Sequence, residues 1–308
     1  MGYGVTGHLG IARQNSFGTT NTGSFEYMPI ISENIVTNVD HLLSDEIVAR
    51  FEGGLAREGN VYAAGDIVFE PHPLLIGHFL KGVMGQASGV LANSAYQWNF
   101  VPVQTDFDAL SALIPYTLEV YRSVGLSWQL TDTVINALSF EIAGGAIVKA
   151  TASVLSRVSS LMTKNTPSFP AGNPWIWDAA SVSIAGAAFG DMESVTITID
   201  NAVEGIHFLK ASKSFGKYKR SGIRTFKVSG TLDFEVQSEY EAFRTFTSRA
   251  IVINLKGDVT ATSYFNELKF DMPAVKYASY PVGLTGPGRI TTGFEGIAEY
   301  HVTSATAM

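Results

Sequence analysis

Three residues near position 70 have side chains of the types that bind transition metals. Glu70, His72 and His78 would supply one carboxylate and two imidazole groups, which are common zinc ligands. An internal repeat, described below, aligns these positions with Glu235, Gln237 and Phe243. Because the second copy has no ligand set at this place, we interpret the first set as ordinary residues at the start of a helix. We expect no metal and no cofactor.

Other short motifs resemble catalytic signatures but lack the surroundings that these signatures need. Gly2, Gly4 and Gly7 satisfy the dinucleotide pattern G-x-G-x-x-G, which works only between a strand and a helix. We interpret this part of the chain as a flexible N-terminal arm, residues 1–24. The segment Ser214-Phe-Gly-Lys217 fits S-x-x-K but has no partner motif. The chain contains no cysteine, which excludes disulfides and thiolate catalysis, and we expect a protein that is not an enzyme.

Two other functions remain as alternatives. An adhesin or carbohydrate-binding β-sandwich would use a sugar platform made of Trp98, Trp128, Trp175 and Trp177. An enzyme on a β scaffold would use Asp191 and Glu193 as acid and base. The tryptophans are dispersed along the chain, and two close acids are weak support for catalysis, so both alternatives rank below a structural function.

Two segments carry charges of opposite sign. Residues 201–229 contain one acid, Glu204, and seven basic residues: Lys210, Lys213, Lys217, Lys219, Arg220, Arg224 and Lys227. Phe208, Phe215, Tyr218 and Phe226 are interleaved with them, as in some nucleic-acid sites. Residues 41–64 instead contain Asp45, Glu46, Glu52 and Glu58 against Arg50 and Arg57. Opposite charges on matching arms predict docking between neighbouring subunits or rings, through Lys213, Lys217, Lys219 and Arg220 on one side and the four acids on the other. A solvated loop is the main alternative, and nucleic-acid binding ranks below both.

The composition is that of a folded chain with little charge. Of the 308 residues, 46% are hydrophobic and 16% charged, and the net charge is −7. A net negative charge argues against gripping nucleic acid, because phosphate binding depends on Lys and Arg. A low charge density leaves surface to be buried between subunits. The sequence shows neither a signal peptide nor an apolar run of about 18 residues, so we expect no membrane partner and a protein kept in the cytoplasm or in a particle assembled there.

Strand patterns dominate the chain. Alternating, β-branched segments predict strands at residues 35–39, 47–51, 116–121, 146–154, 195–199, 225–234, 251–255 and 290–300. Only two helices are predicted, one near Pro73 and one at Ser238, where Ser238-Glu-Tyr-Glu241 has the form of a capping box. Three prolines between residues 163 and 178 predict a linker. The expected class is mainly β with two domains, residues 25–162 and 179–308.

The most informative feature is an internal repeat. Residues 33–40 match residues 193–200, residues 65–70 match residues 230–235, and residues 136–142 match residues 266–272. In both halves the predicted order is a strand, a long excursion, a strand, a helix and two strands. Loop lengths differ between the copies, which a duplicated β-sandwich tolerates because its loops lie outside the core.

The second half resembles the tail tube proteins of siphophages, the long-tailed phages with non-contractile tails. The resemblance lies in residues 194–201 (Ser-Val-Thr-Ile-Thr-Ile-Asp-Asn), in residues 220–235 and in residues 240–243 (Tyr-Glu-Ala-Phe). Residues 4–10 (Gly-Val-Thr-Gly-His-Leu-Gly) are similar to the same family.

This resemblance implies two tandem tail-tube-type β-sandwich/β-barrel domains, each with one short flanking helix and a long loop arm. It implies sheets that join side by side into rings, and rings that stack into a tube through which phage DNA passes without specific binding. Single-domain members form hexamers, so a two-domain chain would form a trimer with pseudo-sixfold symmetry. The implied partners are a tape measure protein and a tail terminator, and the implied location is the virion.

Overall fold

A computed structural model describes residues 3–23, 25–47, 52, 54, 56–92, 95–105, 113–210, 212–235, 237–261, 264–284, 286–304 and 306–308. The chain is mainly β, as the sequence predicts, and within these ranges two short α-helices interrupt the strands. Among the predicted strands, residues 48–51 lie outside the described residues. No helix in the described ranges is long and apolar enough to cross a membrane.

The described residues of the first half form eleven strands. They are β1 (His8–Arg13), β2 (Glu26–Met28), β3 (Ser32–Glu33), β4 (Val36–Leu42), β5 (Arg57–Phe69), β6 (Gly85–Ala92), β7 (Ala95–Pro102), β8 (Tyr116–Tyr121), β9 (Ser127–Ala143), β10 (Lys149–Ser156) and β11 (Val158–Met162). Helix α1 (Ile76–Met84) follows β5 and packs Phe79 and Leu80 into the core. β6 and β7 form a separate hairpin.

In the second half, nine strands lie within the part of the chain that the structure describes. They are β12 (Ala180–Ile184), β13 (Ala187–Phe189), β14 (Met192–Asp200), β15 (Val203–Ile206), β16 (Lys217–Arg220), β17 (Thr225–Asp233), β18 (Arg249–Ala261), β19 (Tyr264–Ser279) and β20 (Thr291–Ala298). Helix α2 (Ser238–Arg244) follows β17, as α1 follows β5. The predicted capping box does not form, because Gln237 occupies the N-cap and makes no side-chain cap, while Ser238 Oγ donates to Glu239 Oε1.

Most strands of both halves belong to one large sheet. Its central path runs β13-β12-β18-β19-β20-β17-β14-β9-β10-β5-β3. The halves meet where β14 pairs antiparallel with β9, from Ser194 opposite Ala143 to Asp200 opposite Ala137. Residues from both halves therefore share one main hydrophobic core, which includes Phe140, Ile197 and Phe270.

The two halves have the same strand connections. In the first half, β2 pairs with β1, β1 with β8, β8 with β9, β9 with β10, β10 with β5 and β5 with β4. In the second half, β13, β12, β18, β19, β20, β17 and β14 pair in the same order.

Register irregularities also fall at matching places. Between β8 and β9, the register shifts after the pair Tyr116 and Thr133; between β18 and β19, it shifts after the pair Arg249 and Val275. A second shift separates Ile135 from Ala137 in β9, and its counterpart separates Tyr277 from Ser279 in β19. Bulges are specific features of a sheet, so these shifts fix which residues of β9 and β19 correspond.

Two matching glycines mark the first two repeat segments. A Cβ atom on Gly65 would lie 2.7 Å from the carbonyl oxygen of Asn34, and a Cβ on Gly230 would lie closer still to the carbonyl of Ser194. Asn34 and Ser194 are themselves aligned by the repeat. Both positions therefore need glycine for the same close approach of two backbones.

Two further sequence predictions are wrong. Residues 136–142 and 266–272 do not occupy equivalent places, because Leu138 pairs with β10 and β14 whereas Leu268 pairs with β18. Both segments alternate apolar and polar residues, and that pattern alone does not fix the position of a strand. The predicted flexible arm, residues 1–24, is not flexible throughout. His8–Arg13 forms β1, and the side chains of Leu9 and Ile11 are buried in the core.

Candidate self-assembly surfaces

The junction between the two halves is a strand pair whose apolar face is buried. Phe140 of β9 lies opposite Ile197 of β14, and both side chains have no exposed surface. The Phe140 ring lies 4.9 Å from the ring of Phe270, centroid to centroid. Burial of apolar side chains on both strands makes this edge-to-edge contact a stable one.

Strand β4 is the counterpart of β14, yet it presents one edge to solvent. Within the described ranges it pairs only with β5. Every residue of β4 except Asn38 is exposed, including Val36 and Val39. An exposed strand edge with apolar residues readily pairs with another chain.

A small cavity of about 160 Å³ lies beside this edge. Its lining residues are Ile35, Val36, Thr37, Ala63, Val120, Arg122, Trp128 and Leu130. The Arg122 guanidinium lies 4.8 Å from the centre of the Trp128 ring and donates to both carboxylate oxygens of Glu33. Hydrogen bonding to Glu33 is the main reason that the pKa of Arg122 is raised. The ion pair between Arg122 and Glu33 therefore holds the rim of the cavity in place, and the Trp128 ring forms part of its wall.

The basic segment of the second half, which we call the basic arm (residues 201–224), lies against the first half of the same chain. Lys213 Nζ forms an ion pair with Glu58 Oε2, and the Lys213 carbonyl accepts a 3.0 Å hydrogen bond from the amide of Val61. Both charged side chains are about half exposed. The structure thus brings together one predicted residue from each arm.

The other predicted contact residues are surface residues. Lys217, Lys219 and Arg220 lie on β16, which pairs with β15 in a two-stranded ribbon. Asp45 and Glu46 follow β4 in an exposed coil, and Glu52 is exposed among residues that are mostly outside the described ranges. Whether these residues contact another chain stays a prediction.

Buried aromatic residues fix the base of the basic arm. Phe215 and Tyr218 pack with Leu113 and Val134 in a small second core. The Tyr218 hydroxyl donates to the carbonyl oxygens of Asp132 and Leu155, the latter at 3.3 Å. These rings are unavailable for stacking on nucleic-acid bases, which leaves little support for a nucleic-acid site.

The residues where β14 continues into the basic arm are also tightly bonded to the first half. Asn201 Nδ2 donates to the Val83 carbonyl at 2.8 Å, and the Arg224 guanidinium donates to Asn201 Oδ1 at 2.6 Å. Burial, together with the neighbouring charge of Arg220, lowers the pKa of Arg224 to about 10. The second half therefore contacts the first through its arm as well as through β14.

A buried carboxylate that the sequence analysis missed holds the predicted linker. Glu119 has no exposed surface and accepts hydrogen bonds from Tyr27, Ser127 and both the amide and side chain of Asn165. Burial acts to raise the pKa of Glu119, but the hydrogen bonds outweigh it and the pKa lies below its usual value. The only sequence signal was an acid inside an apolar strand, Tyr116–Tyr121.

The residues considered for metal binding lie around α1. His72 is buried, which lowers its pKa, and His78 Nε2 lies 3.1 Å from Glu26 Oε2. No group of three or more His, Asp or Glu side chains in the described part of the chain has the geometry to hold a metal ion.

The residues of the two alternative functions lie on several different elements. Trp98 lies on β7 and Trp128 on β9, whereas Trp175 is buried and donates its indole N–H to the Asn266 carbonyl. Glu193 on β14 forms an ion pair with Arg289, and Asp191 directly precedes that strand. Trp175 and Glu193 therefore already have partners within the fold.

A family model described as phage tail tube protein matches residues 4–300 of the chain. No curated protein sequence matches it.

Proposed function

The chain belongs to the phage tail tube protein family, and we propose that it polymerises into stacked rings that form the tube of a siphophage tail. As a tail tube protein it is a component of the virion. The observation that carries the proposal is the β9–β14 junction, in which two similarly connected sets of strands already join edge to edge within one chain.

Matching connections, matching bulges and the paired glycines support a domain duplication. We propose two tube domains, residues 25–162 and 179–308, with β1 of the predicted arm belonging to the first. If each junction between chains repeats the internal one, a ring of six domains closes with three chains. The single-domain members of the family, as the resemblance implies, need six chains for the same ring.

The arms are proposed to guide assembly. The basic arm lies on the first domain of its own chain, where Lys213 pairs with Glu58. By the same relation, Asp45 and Glu46, which follow β4 in the acidic segment of the first domain, would lie on the second domain of the preceding chain. Lys217, Lys219 and Arg220 are proposed to meet Asp45, Glu46 and Glu52 of a neighbouring chain or ring, because their charges are complementary.

The tube would be the conduit for DNA ejection. A net charge of −7 disfavours tight binding of phosphate and so permits DNA to slide. A tape measure protein and a tail terminator, implied by the resemblance, would set the length of the tube and close its end. The role is structural and needs no catalytic group.

Electron microscopy of the purified protein tests this function. Rings or hollow tubes, formed at high protein concentration, are the expected result. A chain that stays monomeric at every concentration and salt condition tried would refute the proposal. The variant with Lys217→Glu and Arg220→Glu should fold but assemble poorly; unchanged tube formation by it would refute the role of the arms while leaving the tube itself intact.

A further inference from the structure

The internal junction provides a template for contacts between chains. Leu138, Phe140 and Ile142 alternate along β9, and all three are buried where β9 meets β14. Phe140 lies against Ile197 on the neighbouring strand and against the Phe270 ring. An equivalent set of residues should exist wherever the junction is repeated.

The matching bulges identify that set. Ala137 in β9 corresponds to Ser279 in β19, so Leu138, Phe140 and Ile142 correspond to Tyr280, Val282 and Leu284. Apolar side chains therefore alternate in both segments. In contrast to their counterparts, Val282 is 37% and Leu284 83% exposed.

The receiving side can be identified in the same way. Thr133 corresponds to Val275 at the first bulge, so Trp128 corresponds to Phe270, the ring against which Phe140 packs. The alignment of β4 with β14 places Thr37 where Ile197 lies. Thr37 and Trp128 both line the cavity of about 160 Å³ beside the exposed edge of β4.

The cavity suits a small aliphatic side chain. An engineered apolar cavity of about 150 Å³ is known to admit benzene, so a valine side chain fits such a space. The counterpart of Trp128 is the smaller Phe270, and the counterpart of Val282 is the larger Phe140. The internal junction therefore pairs two residues of equal size, and at the proposed junction the smaller Val282 is offset by the larger Trp128.

Pro281 does not prevent this segment from pairing as a strand. Its carbonyl oxygen accepts a 2.5 Å hydrogen bond from Thr292 Oγ1 on β20. In an extended strand the N–H and C=O of one residue point to the same side. The missing N–H of Pro281 therefore faces β20, and the backbone groups of Val282 face the free side.

We propose that residues 280–284 of one chain pair antiparallel with β4 of a second copy, with Val282 inserted into the cavity beside Trp128. In this register Val282 lies opposite Thr37, Tyr280 opposite Val39 and Leu284 opposite Ile35. The pairing rests on the proposed function, because it is the contact that closes the ring of three chains.

Cysteine cross-linking tests this register in a chain that has no cysteine of its own. One preparation carries Thr37→Cys and another Val282→Cys; the two are mixed, assembled and oxidised with copper phenanthroline. Residues directly opposite each other on antiparallel strands have Cα atoms about 4.5–5.5 Å apart, within the range of a disulfide. Because each chain has a single cysteine, a mixed dimer can come only from contact between chains.

The matched control replaces Thr37→Cys by Asn38→Cys, since the side chain of the next residue points to the other face of the strand. We expect at least about tenfold more mixed dimer with Thr37→Cys than with Asn38→Cys, because disulfide geometry is restrictive. Equal yields, or no mixed dimer in samples that microscopy shows to contain rings, would overturn the proposed pairing but not the tube. Failure of the unsubstituted protein to form rings would instead count against the function itself.

A second variant keeps the test independent of cross-linking chemistry. Val282→Lys should give a folded monomer that no longer forms rings, because an ammonium group would be buried beside the Arg122 guanidinium and Trp128. Val302→Lys, at an 83% exposed site elsewhere, is the control and should assemble normally. Normal ring formation by Val282→Lys would overturn the pairing.

Discussion

Truncation of Phe140 to alanine should destabilise the whole chain, because this side chain belongs to the core shared by both halves. Phe140 has no exposed surface and packs against Ile197 and Phe270 of the second half. Replacing a fully buried phenylalanine by alanine costs about 3–5 kcal/mol in transfer free energy and residual cavity. The surrounding strands are paired on both sides of β9 and cannot easily collapse into the space, so we expect a value in the upper part of this range.

The assay is urea unfolding of the monomer at low protein concentration, followed by circular dichroism and tryptophan fluorescence. The control is Phe169→Ala, a site that is 48% exposed, where the loss should be below about 1.5 kcal/mol. Because Phe140 contacts both halves, the two probes should shift together to lower urea. A loss below about 1 kcal/mol for Phe140→Ala, or a shift of only one of two separate transitions, would refute the account of a shared core.

Three further outcomes follow from the structure. Gly230→Ala should lower the free energy of unfolding by about 1–3 kcal/mol or more, because its Cβ would meet a backbone carbonyl. Gly190→Ala, with open space around it, is the control and should leave the free energy of unfolding almost unchanged. Equal urea midpoints for the two variants would contradict this prediction. Folding lowers the pKa of Glu119, so this carboxylate stabilises the folded chain above pH 4.5, its usual pKa, and the stabilisation is lost as the pH falls through the lower pKa of the folded state. Glu119→Gln should therefore flatten the loss of stability in acid. An unchanged pH profile of unfolding would contradict the buried network. Lys213→Glu should loosen the basic arm from the first half of its own chain by repulsion from Glu58, and so slow tube assembly measured by light scattering. Adding Glu58→Lys restores the ion pair and should restore the rate. If the rate is not restored, loss of the ion pair is not the cause of slow assembly.

The sequence predicted the parts of the fold that depend on local patterns. Alternation and β-branching located β8, β14 and β17 closely, and both helices were placed correctly to within a few residues. The repeat is visible in the sequence at Gly65 and Gly230 because a close approach of two backbones demands glycine. The sequence does not align its third segment correctly, because alternating apolar residues recur at several places in a β protein and bulges leave no clear trace in the sequence.

The assembly surfaces were only partly predictable. Charge patterns identified the arms, including Lys213 and Glu58, since opposite charges are visible in the sequence. The cavity at Trp128 depends on how β4 and β9 are positioned by distant pairing, which a sequence does not reveal. Apolar residues do alternate with other residues from Tyr280 to Leu284. The residues between them are Pro281 and Gly283, which are uncommon in strands, so the sequence does not predict a strand there.

The number of chains in one ring tests the central claim most directly, and cryo-electron microscopy of assembled rings or tubes measures it. We expect three chains per ring, with six similar domains and alternating internal and intermolecular strand junctions around the circumference. A ring of six chains, or a ring in which β4 and residues 280–284 both face solvent, would contradict the account.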